Sequence, residues 1–283
     1  MVDNIIQLVT EKLSSLSYIE GIVLGGSRAR GTHTEDSDID IGIYYDSEAF
    51  DLNVLNLLAA ELDDDHRSNL VVPPGAWGAW INGGGWLVID GYHVDLILRD
   101  MKRVEQIMKD TEQGIVTANY QTGHPHGYIS VMYRGELAIS KVLYNKNNGF
   151  NELKKRAEIY PAALQKGLTE FFMFETSFSL MFAKSNMGRD DTYYVCGHCF
   201  RSISSLNQVL FAVNKEYCIN EKKAVKMIGS FKIKPIDYKE KVDKVISLIS
   251  SDIDCTKEGI EILQGLVDEV EHLKGGIFNE RTR

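Results

Sequence analysis

The chain has 283 residues, of which 44% are hydrophobic and 25% charged, and its formal net charge at pH 7 is −9. This length is enough for one large domain or two smaller ones, each with its own hydrophobic core. The acidic balance and the lack of a long basic run argue against extensive nucleic-acid binding and against an acidic membrane as a partner.

The sequence also indicates where in the cell the protein is expected. No stretch of about 18 consecutive apolar residues occurs, so no transmembrane span is predicted. The acidic start of the chain lacks the features of a secretory signal peptide. Four cysteines are few for this length, as is typical of proteins in a reducing cytosol. We therefore expect a cytoplasmic protein with no membrane partner.

The first elements follow from hydrophobic periodicity. Residues 3–16 place apolar side chains at three- and four-residue steps, as in an amphipathic helix. Residues 18–24 end in an apolar run that suits a buried strand. Gly25 and Gly26 then allow the backbone to turn sharply and to approach a ligand closely, because neither has a Cβ atom.

Ser27 opens a short segment that can become helical. A strand that ends in small residues at the start of a helix leaves free N–H groups pointing outward, and such groups bind phosphate oxygens. The turn is therefore a candidate phosphate-binding loop.

A second polar feature follows after a gap of ten residues. The segment Asp38–Ile43 alternates strictly, so Asp38 and Asp40 share one face of a predicted strand, with α carbons about 6–7 Å apart. Two carboxylates so close repel each other, and an unpaired charge beside apolar strand surface is costly. A hard divalent cation relieves both costs, and oxygen-only ligation suits magnesium.

Further elements complete the first part of the chain. Residues 49–62 have the pattern of a helix, and we expect a solvated loop at Asp63-Asp64-Asp65. Residues 76–98 predict two or three strands. Within them, Asn82-Gly83-Gly84-Gly85 indicates a turn between two Trp-bearing runs. A phosphate loop is the alternative for these glycines, but no helix follows them.

The segment His93–Leu98 alternates in the same way as Asp38–Ile43. Asp95 falls on one face of this strand, together with His93, and the opposite face is apolar. A single acid in this position indicates little by itself.

The glycine turn and the paired acids together form a specific pattern. Gly25-Gly26-Ser27, followed after ten residues by Asp38-Ile39-Asp40, resembles the signature of the polymerase-beta-like nucleotidyltransferase superfamily. The alternative explanation is a glycine turn before a strand with exposed acids. The resemblance covers residues 20–100, and it implies a third acid on a neighbouring strand, which Asp95 matches.

The resemblance also implies roles for individual residues. The expected catalytic residues are also the expected ligands of two Mg²⁺ ions, namely Asp38, Asp40 and Asp95. The residues expected to bind a nucleoside triphosphate, with ATP as the expected nucleotide, are Gly25, Gly26, Ser27 and Arg28. Asp95, or a further acid from the helical part, would accept the proton of the attacking hydroxyl.

We expect an α+β fold in two domains. Residues 1–115 form a catalytic domain with a mixed β-sheet flanked by helices, and residues 116–127 form a linker. Residues 128–283 form an α-helical bundle on the substrate side. His124 and His126 fall in the linker, where a substrate-side loop and a metal site are the alternatives to a plain connection.

Helical patterns dominate the second half. The predicted helices are 128–144, 151–183, 192–214, 237–250 and 256–273. Pro161 should interrupt the second of them. A run of Met and aromatic residues between Phe171 and Phe182 is interpreted as the core of the bundle, and we expect the end from Gly275 onward to be frayed.

Two short segments of this half have alternative roles. Asp190 or Asp191 is predicted to cap the following helix, and the other acid is a candidate for the nucleotide-facing surface. The segment Cys196–Cys199 contains two Cys and one His, which is half of a zinc site, but a second pair of ligands is missing.

A chain of this size with a helical C-terminal half is similar to the antibiotic nucleotidyltransferases that act on aminoglycosides or lincosamides. This implies magnesium-dependent transfer of AMP from ATP to a hydroxyl of a small-molecule acceptor. The alternatives are transfer of AMP to a partner protein and a nucleotide-binding regulator without turnover. The acceptor, the base preference and the oligomeric state stay open.

Overall fold

The structure is a computed structural model that describes residues 1–279, with side chains described for residues 1–276. The chain forms two compact units. The first contains Met1–Asp110 and Thr117–Ile159, and the second contains Thr111–Val116 and the residues from Tyr160 onward. The last four residues of the end that we expected to be frayed lie outside the described residues.

The elements up to residue 159 are six helices and seven strands among the described residues. In chain order they are α1 (Val2–Ser14), β1 (Ile19–Leu24), α2 (Gly26–Arg30), β2 (Ile39–Tyr45), α3 (Leu52–Leu62), β3 (Gly83–Ile89), β4 (Tyr92–Asp100), α4 (Met101–Glu112), β5 (Ala118–Asn119), β6 (Tyr128–Ile129), α5 (Val131–Ile139), β7 (Lys141–Asn145) and α6 (Asn148–Glu158).

Five strands form a mixed sheet in the order β3-β4-β2-β1-β7. Strands β2 and β4 are parallel, and the other neighbouring pairs are antiparallel. Apolar side chains of α1 and α3 join those of β1–β4 in one buried core on one face of the sheet. The predicted α+β class and the mixed sheet with flanking helices are confirmed.

Alternation decides which side chains of the two parallel strands enter this core. Ile39, Ile41 and Ile43 of β2 are completely buried, as are Val94, Leu96 and Leu98 of β4. These residues are direct partners in the pairing of the two strands, from Ile39–Val94 to Ile43–Leu98. The residues between them therefore point to the opposite face, where polar side chains are tolerated.

The glycines at 83–85 do not form the predicted turn, because they lie inside β3. A Cβ atom on Gly85 would come within 2.9 Å of the Leu70 carbonyl oxygen, so these glycines allow the preceding chain to pack closely on the strand. The turn between β3 and β4 is instead at Asp90 and Gly91, both with positive φ. The run from Trp77 to Trp80 is a loop and not a strand.

Asp63 and Asp64 are not part of a solvated loop, contrary to expectation. Asp63 is 1% exposed and accepts hydrogen bonds from Arg67 and from the Val88 backbone N–H. The Arg67 hydrogen bonds lower the pKa of Asp63 well below its usual range. Asp64 accepts hydrogen bonds from the N–H groups of Asp90 and Gly91, so the two acids support the β3–β4 hairpin.

Residues 128–159 belong to the same compact unit as the sheet, whereas the sequence analysis placed them in the helical domain. Strand β7, which lies at the end of a segment predicted to be helical, pairs with β1. The ring of Phe150 in α6 packs over Gly21, where a Cβ atom would come within 2.4 Å of it. These contacts attach α6 and β7 to the sheet.

The second unit is helical, in agreement with the predicted C-terminal helical region. Its elements are α7 (Ala162–Asn186), α8 (Thr192–Val213), α9 (Ala224–Ile228), α10 (Tyr238–Leu248) and α11 (Ile253–Asn279). The predicted break at Pro161 is confirmed, since α6 ends at Glu158 and α7 begins at Ala162. In residues 1–279 no helix combines the length and the hydropathy that crossing a membrane requires.

The aromatic run in α7 is only partly core. Phe172 and Met173 are buried, but Phe174 and Phe178 are exposed and stack on each other. The prediction that the whole run is core is therefore wrong. A 25-residue helix that packs on one side leaves part of an apolar surface uncovered.

Candidate active site

Two of the three aspartates singled out in the sequence, Asp40 and Asp95, are neighbours on the face of the sheet opposite the main core, and the charge of Asp38 acts on both. Asp40 of β2 is the direct pairing partner of Asp95 of β4, so both side chains leave the sheet at the same level. Asp38 lies just before β2 and is exposed, whereas Asp40 and Asp95 are half-buried. The parallel pairing thus brings together residues 55 positions apart in the chain.

The turn after β1 reaches the same level of the sheet. The Gly25 N–H donates a 2.8 Å hydrogen bond to the Asp40 carbonyl oxygen. Gly26, at the start of the five-residue helix α2, has φ +57°, and a Cβ atom on it would lie 1.8 Å from Oδ2 of Asp40. Only glycine fits between this turn and the carboxylate, which explains the residue type at position 26.

Arg28 supports the loop that carries Asp38. Its buried guanidinium donates from Nε to the carbonyl oxygens of Ser37 and Asp38, at 3.1 Å each, and from Nη2 to the Ser37 carbonyl oxygen at 2.5 Å. The family resemblance predicts Arg28 among the nucleotide-binding residues. In the structure its described hydrogen bonds hold the backbone on either side of Asp38, which is a positioning contact.

The carboxylates repel one another. Burial, followed by the charges of Asp40 and Asp38, raises the pKa of Asp95 to about 6, and His93 acts in the opposite direction. Burial and the charge of Asp38 likewise raise the pKa of Asp40, which Arg28 partly offsets. The site therefore holds closely spaced negative charge that a cation would stabilise.

The chemistry of the donors fits magnesium, because all are carboxylate oxygens. Within residues 1–276 no group of three or more His, Cys, Asp or Glu side chains is arranged so that it could hold a metal ion. Magnesium at nucleotide sites is held by one or two carboxylates together with the phosphates of the substrate. The pair Asp38 and Asp40 is consistent with such a shared site.

Glu136 is a further acid near the site that the sequence did not indicate. It accepts two hydrogen bonds from the buried guanidinium of Arg99, at 2.7 and 2.9 Å, and its charge contributes to the raised pKa of Asp40. Arg99 lies four residues after Asp95 on the same face of β4, and its pairing partner on β2 is Tyr44. No local pattern around Glu136 reveals a pair with a residue 37 positions earlier.

The structure also shows the local surroundings of the other candidate residues. Asp191 caps α8 by accepting a hydrogen bond from the Tyr194 N–H, which confirms the predicted cap. Cys196 and Cys199 lie in the first half of α8, where Cys199 is buried and burial raises its pKa to about 12. His124 packs edge-on against Tyr128 in the first unit.

Comparison with known proteins concerns the part of the chain that contains the glycine turn and the three aspartates. Residues 6–117 match the family model described as nucleotidyltransferase domain. The matched range contains the glycine turn, all three aspartates and the strands β1–β4.

A solved structure of a nucleotidyltransferase-like protein from Exiguobacterium sibiricum 255-15 is similar to the chain, with a TM-score of 0.48 and 11% sequence identity. The similarity covers 100% of this chain and 81% of the other. The comparison with curated proteins gives no match.

The two glycines of the turn give a matched pair of variants. Gly26→Ala should lower the free energy of unfolding by about 1–2 kcal/mol, because alanine is strained at positive φ and its Cβ atom displaces the Asp40 carboxylate. Gly25→Ala should change it by less than about 0.5 kcal/mol, since its Cβ atom would be in ordinary contact, 3.6 Å from Cβ of Asp40. Urea unfolding of both variants measures the difference, and equal values would contradict the close approach at Gly26.

The raised pKa of Asp95 predicts a pH-dependent cost to stability. The Asp95 carboxyl loses its proton near pH 6 in the folded protein and near pH 4 in the unfolded chain. Ionised Asp95 therefore lowers the free energy of unfolding, fully above pH 6 and not at all below pH 4. Asp95→Asn should therefore stabilise the metal-free protein by about 1 kcal/mol at pH 8, a value reduced for solvent screening.

The measurement is thermal unfolding in EDTA at pH 8 and pH 4. At pH 4 the variant and the wild type should have similar stability. Asp65→Asn, at an exposed position after α3, is the control and should show no stabilisation at pH 8. A loss of stability in Asp95→Asn at pH 8 would show that the carboxylate has a stabilising structural role instead.

Proposed function

We propose that the protein is a magnesium-dependent nucleotidyltransferase that transfers AMP from ATP to a hydroxyl of a small-molecule acceptor. The observation that carries the proposal is the pairing of Asp40 with Asp95 at the level of the Gly25–Gly26 turn. The match of residues 6–117 to the nucleotidyltransferase domain supports nucleotidyl transfer in general.

The residues of the turn bind the triphosphate in this proposal. Backbone N–H groups of Gly26 and Ser27 donate to its outer phosphates. Glycine at position 26 lets this turn lie against the Asp40 carboxylate, which brings the phosphates close to the acids. Arg28 fixes the backbone at Asp38 through the carbonyl oxygens of Ser37 and Asp38. Two Mg²⁺ ions held by Asp38, Asp40 and Asp95 would stabilise the attacking and departing oxygens.

Asp95 is suited to accept the proton of the acceptor hydroxyl. In this proposal bound Mg²⁺ lowers the pKa of the acceptor hydroxyl, and the Asp95 carboxylate, on the strand next to Asp40, accepts its proton. The acceptor oxygen then forms a bond to the α-phosphorus, and the bond to pyrophosphate breaks on the opposite side. The proton passes to Asp95 and the electron pair of the broken bond leaves with pyrophosphate.

An aminoglycoside- or lincosamide-type antibiotic is the acceptor class that the size and the helical C-terminal part suggest. These compounds carry amino groups and several hydroxyls. The net charge of −9 and the acids on the site face favour the approach of such a cationic acceptor. A hydroxyl-bearing side chain of a partner protein is the alternative acceptor.

The central test is pyrophosphate release from ATP with a panel of antibiotic acceptors. Asp38→Asn should reduce acceptor-dependent release by about 10³-fold or more, because several kcal/mol of electrostatic stabilisation are lost. Release by the wild type should stop when EDTA removes magnesium. Asp36→Asn changes an exposed acid two residues earlier and should retain activity.

Three results would redirect the proposal. Unchanged turnover in Asp38→Asn would contradict the assigned role of the acids. AMP transfer from labelled ATP to a protein in cell lysate, without release on any small acceptor, would identify a protein AMP-transferase. Tight ATP binding without pyrophosphate release would indicate a nucleotide-binding regulator.

A further inference from the structure

Trp86 extends the row of site residues across the sheet. It is the direct pairing partner of Asp95 in the antiparallel pair of β3 and β4, and Asp95 is the partner of Asp40. Leu87 on the same strand enters the main core, so alternation places Trp86 on the opposite face, with the carboxylates. Trp86 is nevertheless 60% exposed.

Trp77 braces this side chain from the loop before β3. The two rings stack with centroids 4.6 Å apart and an angle of 22° between their planes. Trp77 also lies over the backbone of Gly84, where a Cβ atom would come within 2.7 Å of its ring. The absence of a side chain at Gly84 therefore makes room for Trp77, and Trp77 orients Trp86. A large exposed aromatic that is held in place in this way is typical of a recognition surface.

The strand order places Trp86 and the glycine turn on two different sides of the carboxylates. Adjacent strands are about 4.8 Å apart, so Trp86 lies one strand from Asp95, about 10 Å from Asp40 and about 14 Å from the Gly25 turn. The glycine turn and Trp86 thus lie on opposite sides of the carboxylates. In an in-line displacement the attacking oxygen approaches opposite the leaving pyrophosphate. If the outer phosphates lie at the turn, the acceptor lies on the Trp86 side.

We propose that Trp86, braced by Trp77, is the platform on which a ring of the acceptor stacks, so that the enzyme selects cyclic acceptors. This inference rests on the proposed function, since the position of the phosphates defines the acceptor side. Aromatic rings bind the apolar faces of sugar rings and planar groups, and they attract nearby cationic amino groups. Trp86 is therefore a binding and specificity residue and does not take part in the bond changes.

Turnover gives the first test. With an acceptor that the wild type uses, Trp86→Ala should raise the KM for the acceptor by about 10-fold and leave the KM for ATP within about 2-fold. Trp86→Phe should recover part of the affinity, because it retains a ring. Leu57→Ala removes an apolar side chain that is 74% exposed on α3, on the core side of the sheet, and should match the wild type.

Binding gives a second test that does not need turnover. Isothermal titration with kanamycin A and lincomycin, in the presence of magnesium and the non-hydrolysable analogue AMPCPP, should show binding of at least one compound. That binding should weaken about 10-fold in Trp86→Ala, and circular dichroism should show an intact fold in the variant. The acyclic polyol sorbitol should not bind measurably.

The two tests separate this inference from the proposed function. Turnover with an unchanged acceptor KM in Trp86→Ala would overturn the platform and leave the transferase intact. A raised KM for ATP alone would assign Trp86 to the nucleobase and overturn the acceptor role. Binding that depends on Trp86, without turnover of any acceptor, would show that Trp86 binds cyclic ligands, but it would contradict the transferase and with it the acceptor role of Trp86. Binding of neither compound by the wild type would overturn the platform for these acceptors.

Discussion

The candidate site depends on the parallel pairing of β2 with β4. This pairing sets Asp40 opposite Asp95, and it is held by the completely buried residues that alternate with them on the two strands. A shift of one residue in either strand would move the apolar set to the polar face, which would expose it and bury the acids. The burial of the isoleucine face therefore fixes the positions of Asp40 and Asp95, although these buried residues lie on the opposite face of the sheet from the two acids.

The polar face of the sheet is divided into two regions along the strands. Four residues beyond Asp95, Arg99 is paired with Glu136 and buried beside Tyr133, so the charge there is neutralised inside the protein. At the level of Asp95, Asp40 and Asp95 form no such ion pair with the side chains of residues 1–276, and burial raises the pKa values of both. The charge of Arg99 is thus neutralised, whereas the carboxylates of Asp40 and Asp95 repel each other. Unneutralised carboxylates of this kind lower the stability of the fold and are typical of a site that binds a cation.

Patterns within single segments predicted much of this arrangement. The strict alternation at residues 38–43 and 93–98 was enough to assign both strands and the shared face of the acids. The pairing of Asp40 with Asp95 was an expectation from family resemblance, because nothing within either segment encodes its partner. The same limit explains why Glu136 was missed, since its partner Arg99 is distant in sequence and the segment 128–144 has a helical pattern that also hid β7.

The incorrect predictions for Gly83–Gly85 and for Asp63 have a related cause. Glycine runs are frequent in turns, but Gly83–Gly85 serve close packing of neighbouring chain inside a strand, which only the tertiary structure reveals. Three consecutive aspartates suggest exposure, yet Asp63 is buried because Arg67 and the Val88 N–H satisfy its carboxylate. Composition predicts average behaviour, and the exceptions here are residues whose partners come from other segments.

The most direct measurement is a crystal structure of the protein with Mn²⁺ and AMPCPP, with the metal located by its anomalous scattering. The account predicts an anomalous peak about 2 Å from carboxylate oxygens of Asp38 and Asp40, with the phosphates against the backbone of Gly26 and Ser27. A nucleotide bound away from this turn, or a metal that contacts none of the three aspartates, would contradict it.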